Sequence, residues 1–351
     1  MIIECCEVDY RKYEAYNYSG LKLFAENPYS YYNKYILKQK EDETLSDSVK
    51  IGMLVDCLLL EKERFNEKFS ITVCEKPIGQ LGEFIDELWA ITQRYIDQDG
   101  TITISMKERL EFTWDVFKQK NPNKFKGKDF NYLVENFKIE DKNGNSPQLY
   151  YINLIKEYGK VTIDQRTYDK AEKIVNNIIH GKYTNNLFIP SRTIELKYQT
   201  AIVSIIDGVE VKGLIDIIKI DHTSKTVLGI DLKTTWQMTN FSFNFKKMGY
   251  YLQASLYHSL LSQYIIDNNL TDYTVDDRFM FLICDSSLTY LPHFYICSKD
   301  IIDKGLNGFS DSYTDYKGVK QLIKEIEYCK KNGFYDHISL HENNGYLNIK
   351  L

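Results

Sequence analysis

Apolar positions recur along this chain at two different periods, and the change of period locates the architecture. Residues 164–183, DQRTYDKAEKIVNNIIHGKY, carry Tyr168, Ala171, Ile174, Val175, Ile178 and Ile179 as one stripe at helical spacing. Beyond them the period drops to two. IELKYQTAIVSII (194–206), VEVKGLIDIIKI (209–220) and TVLGIDLKTT (226–235) read as three strands of a meander. They are joined by Asp207-Gly208, a strong hairpin turn signal, and by DHTSK. Helical spacing returns in NFKKMGYYLQASLYHSLLSQYII (244–266). RFMFLICDSS and HFYICS give two more strands, and YKGVKQLIKEIEYCKKNG a last helix stopped by Gly333. Strands in the middle with helices before and after predict an α/β (α+β) core. Its expected form is a central mixed β-sheet with an antiparallel meander, flanked by helices.

The first part of the chain is helical in pattern. NYSGLKLFAENPYSYYNKYI (17–36) offers Ser19 as an N-cap, and Asn27-Pro28 breaks the helix and restarts it. A polar link, KQKEDETLSDS, precedes the strongly apolar helix VKIGMLVDCLLLEKERF (49–65). Residues 75–160 alternate helical patterns with polar loops such as KNPNKFKGKDFN and EDKNGNSPQ, with no internal repeat. The expected division is 1–74 as the N-terminal helical part of the core and 75–160 as a helical and loop insertion. Residues 161–351 then form the sheet core with its C-terminal helix, all within one compact domain.

Composition narrows the classes. Of 351 residues 43% are apolar, enough for a sizeable core. No run of about 18 apolar residues is present to cross a membrane, and the acidic start MIIECCEVDYRKYE lacks an apolar signal region. A cytoplasmic protein is expected. Cys5, Cys6, Cys57, Cys74, Cys284, Cys297 and Cys329 form no CxxC pair and no metal-like spacing with the histidines, so they read as free thiols of a reducing compartment. The net charge of −5 argues against coating nucleic acid through bulk charge but leaves room for a local basic groove. The 28 tyrosines read as core and surface composition, in company with many Asn, Ile and Lys.

The turns also fix a register. A second turn symmetric about Thr223-Ser224 sets Asp216 opposite Asp231 and Leu214 opposite Lys233. Alternation puts Asp216, Asp231 and Lys233 on one face, with Ile215, Ile230 and Leu232 on the other. Opposed Cβ atoms lie roughly 4.5–5.5 Å apart, where like charges destabilise. Two carboxylates held this way need a proton or a cation, and Mg²⁺ is the natural partner because it takes carboxylate oxygens and keeps water positions. Lys233 could then orient a water or stabilise charge on a phosphate. The plainer alternative is a cross-strand ion pair on a solvated face. Against it, GLIDIIKI and VLGIDLKTT are apolar on both faces apart from these positions, which suggests a sheet covered on both sides.

Two further features stand out. Asp56 sits inside IGMLVDCLLL, where its helical neighbours are Gly52, Met53, Leu59 and Leu60; such an acid is buried or lines a cleft. Gly52, one turn away, would let another chain approach closely. Gln253 and Tyr257 share a face of the helix that follows the lysine strand.

Together these segments resemble the PD-(D/E)xK nuclease superfamily, and within it the RecB-like domains and the phage RecE (exonuclease VIII) group. SGLKLFAENPYSYYNKYI is similar to the opening motif, and GMLVDCLLLEKERF to a G-x-x-x-H-C-L-L-L-E-P segment. GLIDII fits the motif-II acid, GIDLKTT the D-x-K motif with its Thr-Thr tail, and YYLQASLYHSLL the Q-x-x-x-Y helix. TYDKAEKIVNNIIHGKYTNNLF and TIELKYQT match the preceding helix and first strand. The resemblance implies a restriction-endonuclease-like core. It implies that Asp216 and Asp231 bind Mg²⁺ or Mn²⁺ with the Leu232 backbone carbonyl nearby, that Lys233 positions the attacking water, and that Gln253 and Tyr257 contact DNA backbone or steady the site. Asp56 stands where the family has a histidine and is expected to serve as an oxygen ligand. Glu195 matches a family acid, yet a first turn centred on Asp207-Gly208 sets it opposite Ile220, about 13 Å along the sheet from Asp216. Asn27 precedes Pro28 where some relatives carry an iron–sulfur cysteine, and no C-terminal cysteine cluster follows, so no such cluster is expected.

The expected function is a Mg²⁺-dependent exonuclease that resects double-stranded DNA ends in recombination or phage DNA metabolism, in a bacterial or phage-infected cell. A ring oligomer and a single-strand annealing partner come with the RecE likeness. The alternatives are a structure-specific or restriction-like endonuclease on the same site, and a decayed DNA-binding accessory. The basic stretch NPNKFKGKDF and Lys246-Lys247 could touch phosphates or could be solvated loops.

Overall fold

Five strands pair as the turns dictate. In the computed structural model, which describes residues 7–39, 45–72, 74–97, 100–142, 144–312, 314–334 and 346, β1 (Ile194–Ile206), β2 (Val209–Asp221) and β3 (Thr226–Thr235) form the antiparallel meander. β4 (Thr274–Asp285) joins β3 in parallel and β5 (His293–Cys297) joins β4 antiparallel, so the sheet is mixed, in the order β1-β2-β3-β4-β5. The first hairpin closes with Ile206 opposite Val209, which places Glu195 opposite Ile220 as the arithmetic required. The second closes with Asp221 opposite Thr226 and pairs through Ile217 opposite Ile230.

There the β2–β3 ladder ends. Asp216 and Asp231 are next in register but are not ladder partners, and the expected Leu214–Lys233 pairing does not form. The cause is local. The Leu232 N–H points toward β2 and is taken by the Asp216 carboxylate at 2.8 Å, where a backbone carbonyl would otherwise accept it. The strands part at the acids.

A parallel β3–β4 pair requires a crossover connection. It is supplied by α3 (Phe241–Lys247) and α4 (Tyr250–Asp267), separated at Gly249 in left-handed conformation, φ 69°. The single helix expected over 244–266 is therefore two. α4 is buried nearly all round, contacting β1 to β4 and α5 (Lys299–Asn307). Close approach is possible because of small residues. A Cβ on Gly213 of β2 would lie 2.5 Å from Leu260, and one on Gly305 of α5 would lie 2.3 Å from the Tyr251 carbonyl oxygen. On β3, Val227, Leu228, Ile230, Asp231 and Leu232 are all buried, so the sheet is covered on both faces there. The helices α1 (Tyr18–Glu26), α2 (Asp47–Leu60) and α6 (Val319–Asn332) complete the surround, α2 contacting β2 and β3, and α6 contacting α1.

Local signals mostly act as read. Asn27 caps the helix begun by Pro28, and Gly333 ends α6 with φ 100°. The cap of α1 is Asn17 rather than Ser19: its side chain accepts the Gly20 N–H at 2.8 Å, the reach of an Asx cap. Gly52 is also corrected, since a Cβ there would meet nothing within 4 Å among the described residues.

The chain divides into two compact units, one of residues 1–62 and 170–351, the other of 63–169. The expected boundaries at 75 and 160 fall inside the second. That unit pairs Phe69–Ile71 with Val161–Ile163 in parallel and carries helices at Gln80–Gln93, Met106–Lys120, Phe130–Lys138 and Pro147–Glu157. Its own core gathers Phe84, Leu88, Leu133, Phe137 and Tyr151, each at most 1% exposed. Cys74, Cys284, Cys297 and Cys329 are free and buried, and Cys57 is buried; Cys5, Cys6 and residues 40–44 of the polar link lie outside the described residues. Among the described residues no helix is long and apolar enough to cross a membrane.

Candidate active site

The parting of β2 and β3 is where the charged side chains meet. Asp231 on β3 is 2% exposed. Its Oδ1 accepts a hydrogen bond from Gln253 Nε2 of α4 at 2.6 Å. Its Oδ2 forms an ion pair with the Lys233 ammonium two residues along the same face. A carboxylate oxygen carries two acceptor sites, so Oδ2 keeps capacity beyond the ammonium. Asp216 on β2 is gripped at both oxygens: Oδ2 by the Leu232 N–H at 2.8 Å and Oδ1 by Gln199 Nε2 at 3.2 Å. Gln253 Oε1 is buried and has no hydrogen-bond partner among the described residues. Tyr257, one turn beyond on α4, is buried beside Gln253.

The electrostatics are those of a site short of positive charge. Burial pushes the Asp216 carboxyl well above the usual carboxylate range; the charges of Asp231 and then Asp56 push it further, against Lys233 and the Leu232 N–H. Burial also raises Asp231, with Lys233 opposing. Burial would lower Lys233, but Asp231 and Asp216 hold its ammonium above the ordinary lysine value. One ammonium therefore serves two buried carboxyls. The shortfall, the spare capacity of Asp231 Oδ2 and the open Gln253 Oε1 fit a hard divalent cation with oxygen ligands.

Not every expected ligand joins them. Asp56, half-buried on α2, is near enough to raise both Asp216 and the Cys284 thiol. Even so, among the described residues no three His, Cys, Asp or Glu side chains gather as a ready-made metal cluster. Glu195 is drawn away, paired with Lys197 at 2.6 Å and His222 at 3.4 Å near the far end of the hairpin. Leu232 shows its N–H to Asp216. Lys246 is engaged by Asp311 at 2.5 Å and lies over Tyr316, while in the loop 121–130 Lys124 pairs with Glu83 and Lys128 covers Tyr132.

Other residues enter that the sequence reading passed over. The Lys233 ammonium lies 5.6 Å from the centre of the Tyr250 ring, and Tyr18 of α1 is close enough to feel both Lys233 and Asp231. Tyr250 was legible as the residue three before Gln253, on the same helical face. Tyr18 lay within the opening motif. Cys284 of β4, in register with Thr234 on the strand that carries the lysine, places its thiol 3.3 Å from the Thr234 hydroxyl.

Comparison with known families decides the class. The family model for the PDDEXK-like domain of unknown function (DUF3799) matches residues 17–337. The chain belongs to this PDDEXK-like family. The match includes both units, and with it the PD-(D/E)xK nuclease superfamily resemblance holds. PDDEXK nucleases generally depend on a divalent metal and act on nucleic acid, in keeping with the acidic pair described above. No curated protein matches this PDDEXK-like chain. A solved structure from Eubacterium rectale, named "Putative exonuclease", is similar at 13% identity and a TM-score of 0.47, over 99% of this chain and 96% of that one.

Proposed function

We propose that this PDDEXK-like protein is a Mg²⁺-dependent deoxyribonuclease that hydrolyses phosphodiester bonds from double-stranded ends. The observation that carries the chemistry is the buried Asp231–Lys233 pair facing Asp216, with Gln253 Oε1 left open beside it. Asp216 and Asp231 would hold the metal, with the Leu232 carbonyl and Asp56 as further oxygen donors. When bound, the metal stabilises negative charge on the phosphate and favours an ionised water.

The remaining roles fall to the chain. The Lys233 ammonium orients the attacking water and offsets charge as it builds on the phosphate. Tyr250, under that ammonium, limits where it can swing. Gln253 fixes Asp231, and Tyr257 backs Gln253. Preference for ends, with the ring oligomer, annealing partner and recombination role that go with it, is supported by the likeness of the motifs to the RecE group.

The test compares wild type with Lys233→Ala on end-labelled linear duplex and on closed circular duplex, with Mg²⁺. Wild type should degrade the linear form and spare the circle. Lys233→Ala should be slower by about 10²–10⁴-fold, the usual contribution of a positioned proton-handling group. Equal degradation by both proteins would overturn the mechanism, and cleavage of the circle would make the protein an endonuclease.

A further inference from the structure

Pairing between β1 and β2 runs from Ile194–Asp221 to Ile206–Val209 and skips a single position, Gln199 opposite Asp216. At Gln199 the backbone is left-handed, φ 45°, an unfavourable region for a residue that is neither Gly nor Asn. The flanking pairs, Tyr198–Ile217 and Thr200–Ile215, keep the same register, so this is no inserted residue and no bulge. Such local strain persists only where the surroundings impose it, and it clusters at functional sites. Here the strained residue sends its side-chain amide onto Asp216 Oδ1 at 3.2 Å. On the opposite side the β2–β3 ladder has also ended, and the Leu232 N–H holds Oδ2. Asp216 is thus the point where the sheet gives up pairing on both flanks, and each flank returns one neutral donor to the carboxylate.

We propose that Gln199 is a positioning residue for the metal site: its amide fixes the Asp216 carboxylate in the orientation in which it binds a divalent cation. This rests on the proposed reading of Asp216 and Asp231 as metal ligands. A neutral donor suits the task. It satisfies one lone pair of Oδ1 and adds no positive charge to compete with the cation, as a lysine or arginine there would. Groups that orient a ligand from behind are commonly worth 10–100-fold in metal affinity. In a protein whose β1 served only as the sheet's edge strand, an ordinary extended residue at 199 would restore the missing pair and remove the strain.

The test measures Mn²⁺ binding to the whole protein without DNA, by calorimetry, alongside thermal stability and the Mn²⁺ dependence of cleavage. Gln199→Ala removes the amide. Gln199→Gly removes it and also accepts the left-handed backbone. Both should weaken Mn²⁺ binding by about tenfold or more and raise the Mn²⁺ concentration needed for half-maximal cleavage by a similar factor. Cleavage at saturating Mn²⁺ should fall much less. Gln199→Gly should melt no lower than Gln199→Ala, so a shared loss of affinity cannot come from lost stability. Mn²⁺ affinity within twofold of wild type in both variants would overturn the inference. Asp216→Asn separates the two levels. If it abolishes Mn²⁺ binding while the Gln199 variants bind normally, only the role of Gln199 fails. If wild type binds no Mn²⁺, or Asp216→Asn binds as wild type does, the reading of the acids fails and this inference with it.

Discussion

Asp216 shows what a buried carboxyl costs the protein that carries it. Its folded pKa lies above the ordinary 3.8, first through burial and then through Asp231. The folded state therefore keeps a proton that the unfolded state releases. The stabilisation is fully present below the ordinary value and is lost as pH rises through the raised one. Melting of the metal-free protein in chelator, from acid to alkaline pH, should show stability falling across that window. Asp216→Asn should flatten the dependence, leaving the variant more stable than wild type by about 1 kcal/mol at alkaline pH, though it cleaves nothing. A variant with the same pH slope as wild type would show that Asp216 is not the group responsible. How far such residues could be read from the sequence differs case by case. Asp216, Asp231 and Lys233 were legible because a period-two pattern forces them to one face. Gln253 was legible only through the resemblance of its helix to the Q-x-x-x-Y motif. Gln199 was not, since alternation assigns a residue to a face but carries no sign of a left-handed backbone. Glu195 matched a pattern of residue types, yet hairpin register, a geometric constraint, holds it away beside Lys197 and His222.

At the scale of elements the site depends on how closely α4 lies against its neighbours. The strands, their order along the meander and both turns followed from Asp207-Gly208 and the polar DHTSK, because turn chemistry and alternation act locally. The end of the β2–β3 ladder did not follow, because it is set by a side chain that replaces a backbone acceptor. Nor did the break of the crossover helix at Gly249. The contact of α4 with α5 gives a direct test. A Cβ on Gly305 would fall 2.2 Å from Ser255 Oγ and 2.3 Å from the Tyr251 carbonyl oxygen. The second of these is backbone and cannot rotate away. Gly305→Ala should therefore destabilise the protein by about 1–3 kcal/mol, the usual penalty of overpacking, read as a lower denaturant midpoint. An unchanged midpoint would mean that α5 shifts freely on α4.

The whole molecule is built of two compact units, where one compact domain with an insertion over 75–160 was expected. Residues 75–160 gave helical patterns without chemistry, and a reading centred on chemistry treats such a stretch as decoration. The structure gives 63–169 a hydrophobic core of its own, with Phe84, Leu88, Leu133, Phe137 and Tyr151 out of solvent. About 100 residues around one core is an ordinary size for independent folding. Expressed alone, 63–169 should show helical circular dichroism and a cooperative melt; a featureless melt would mean that its core is not self-sufficient. The other unit carries a consequence of its parallel strand pair. The meander needs only two tight turns, so Asp216, Asp231 and Lys233 can come together early and locally. β4 reaches β3 only after the crossover has closed, and such non-local pairings are the slow part of folding. Gln253 arrives with that crossover. On a chain leaving the ribosome, these three side chains would stand assembled without Gln253 until the crossover has closed. The nuclease would carry a delay between being synthesised and being able to harm the DNA around it, written into the order of its strands.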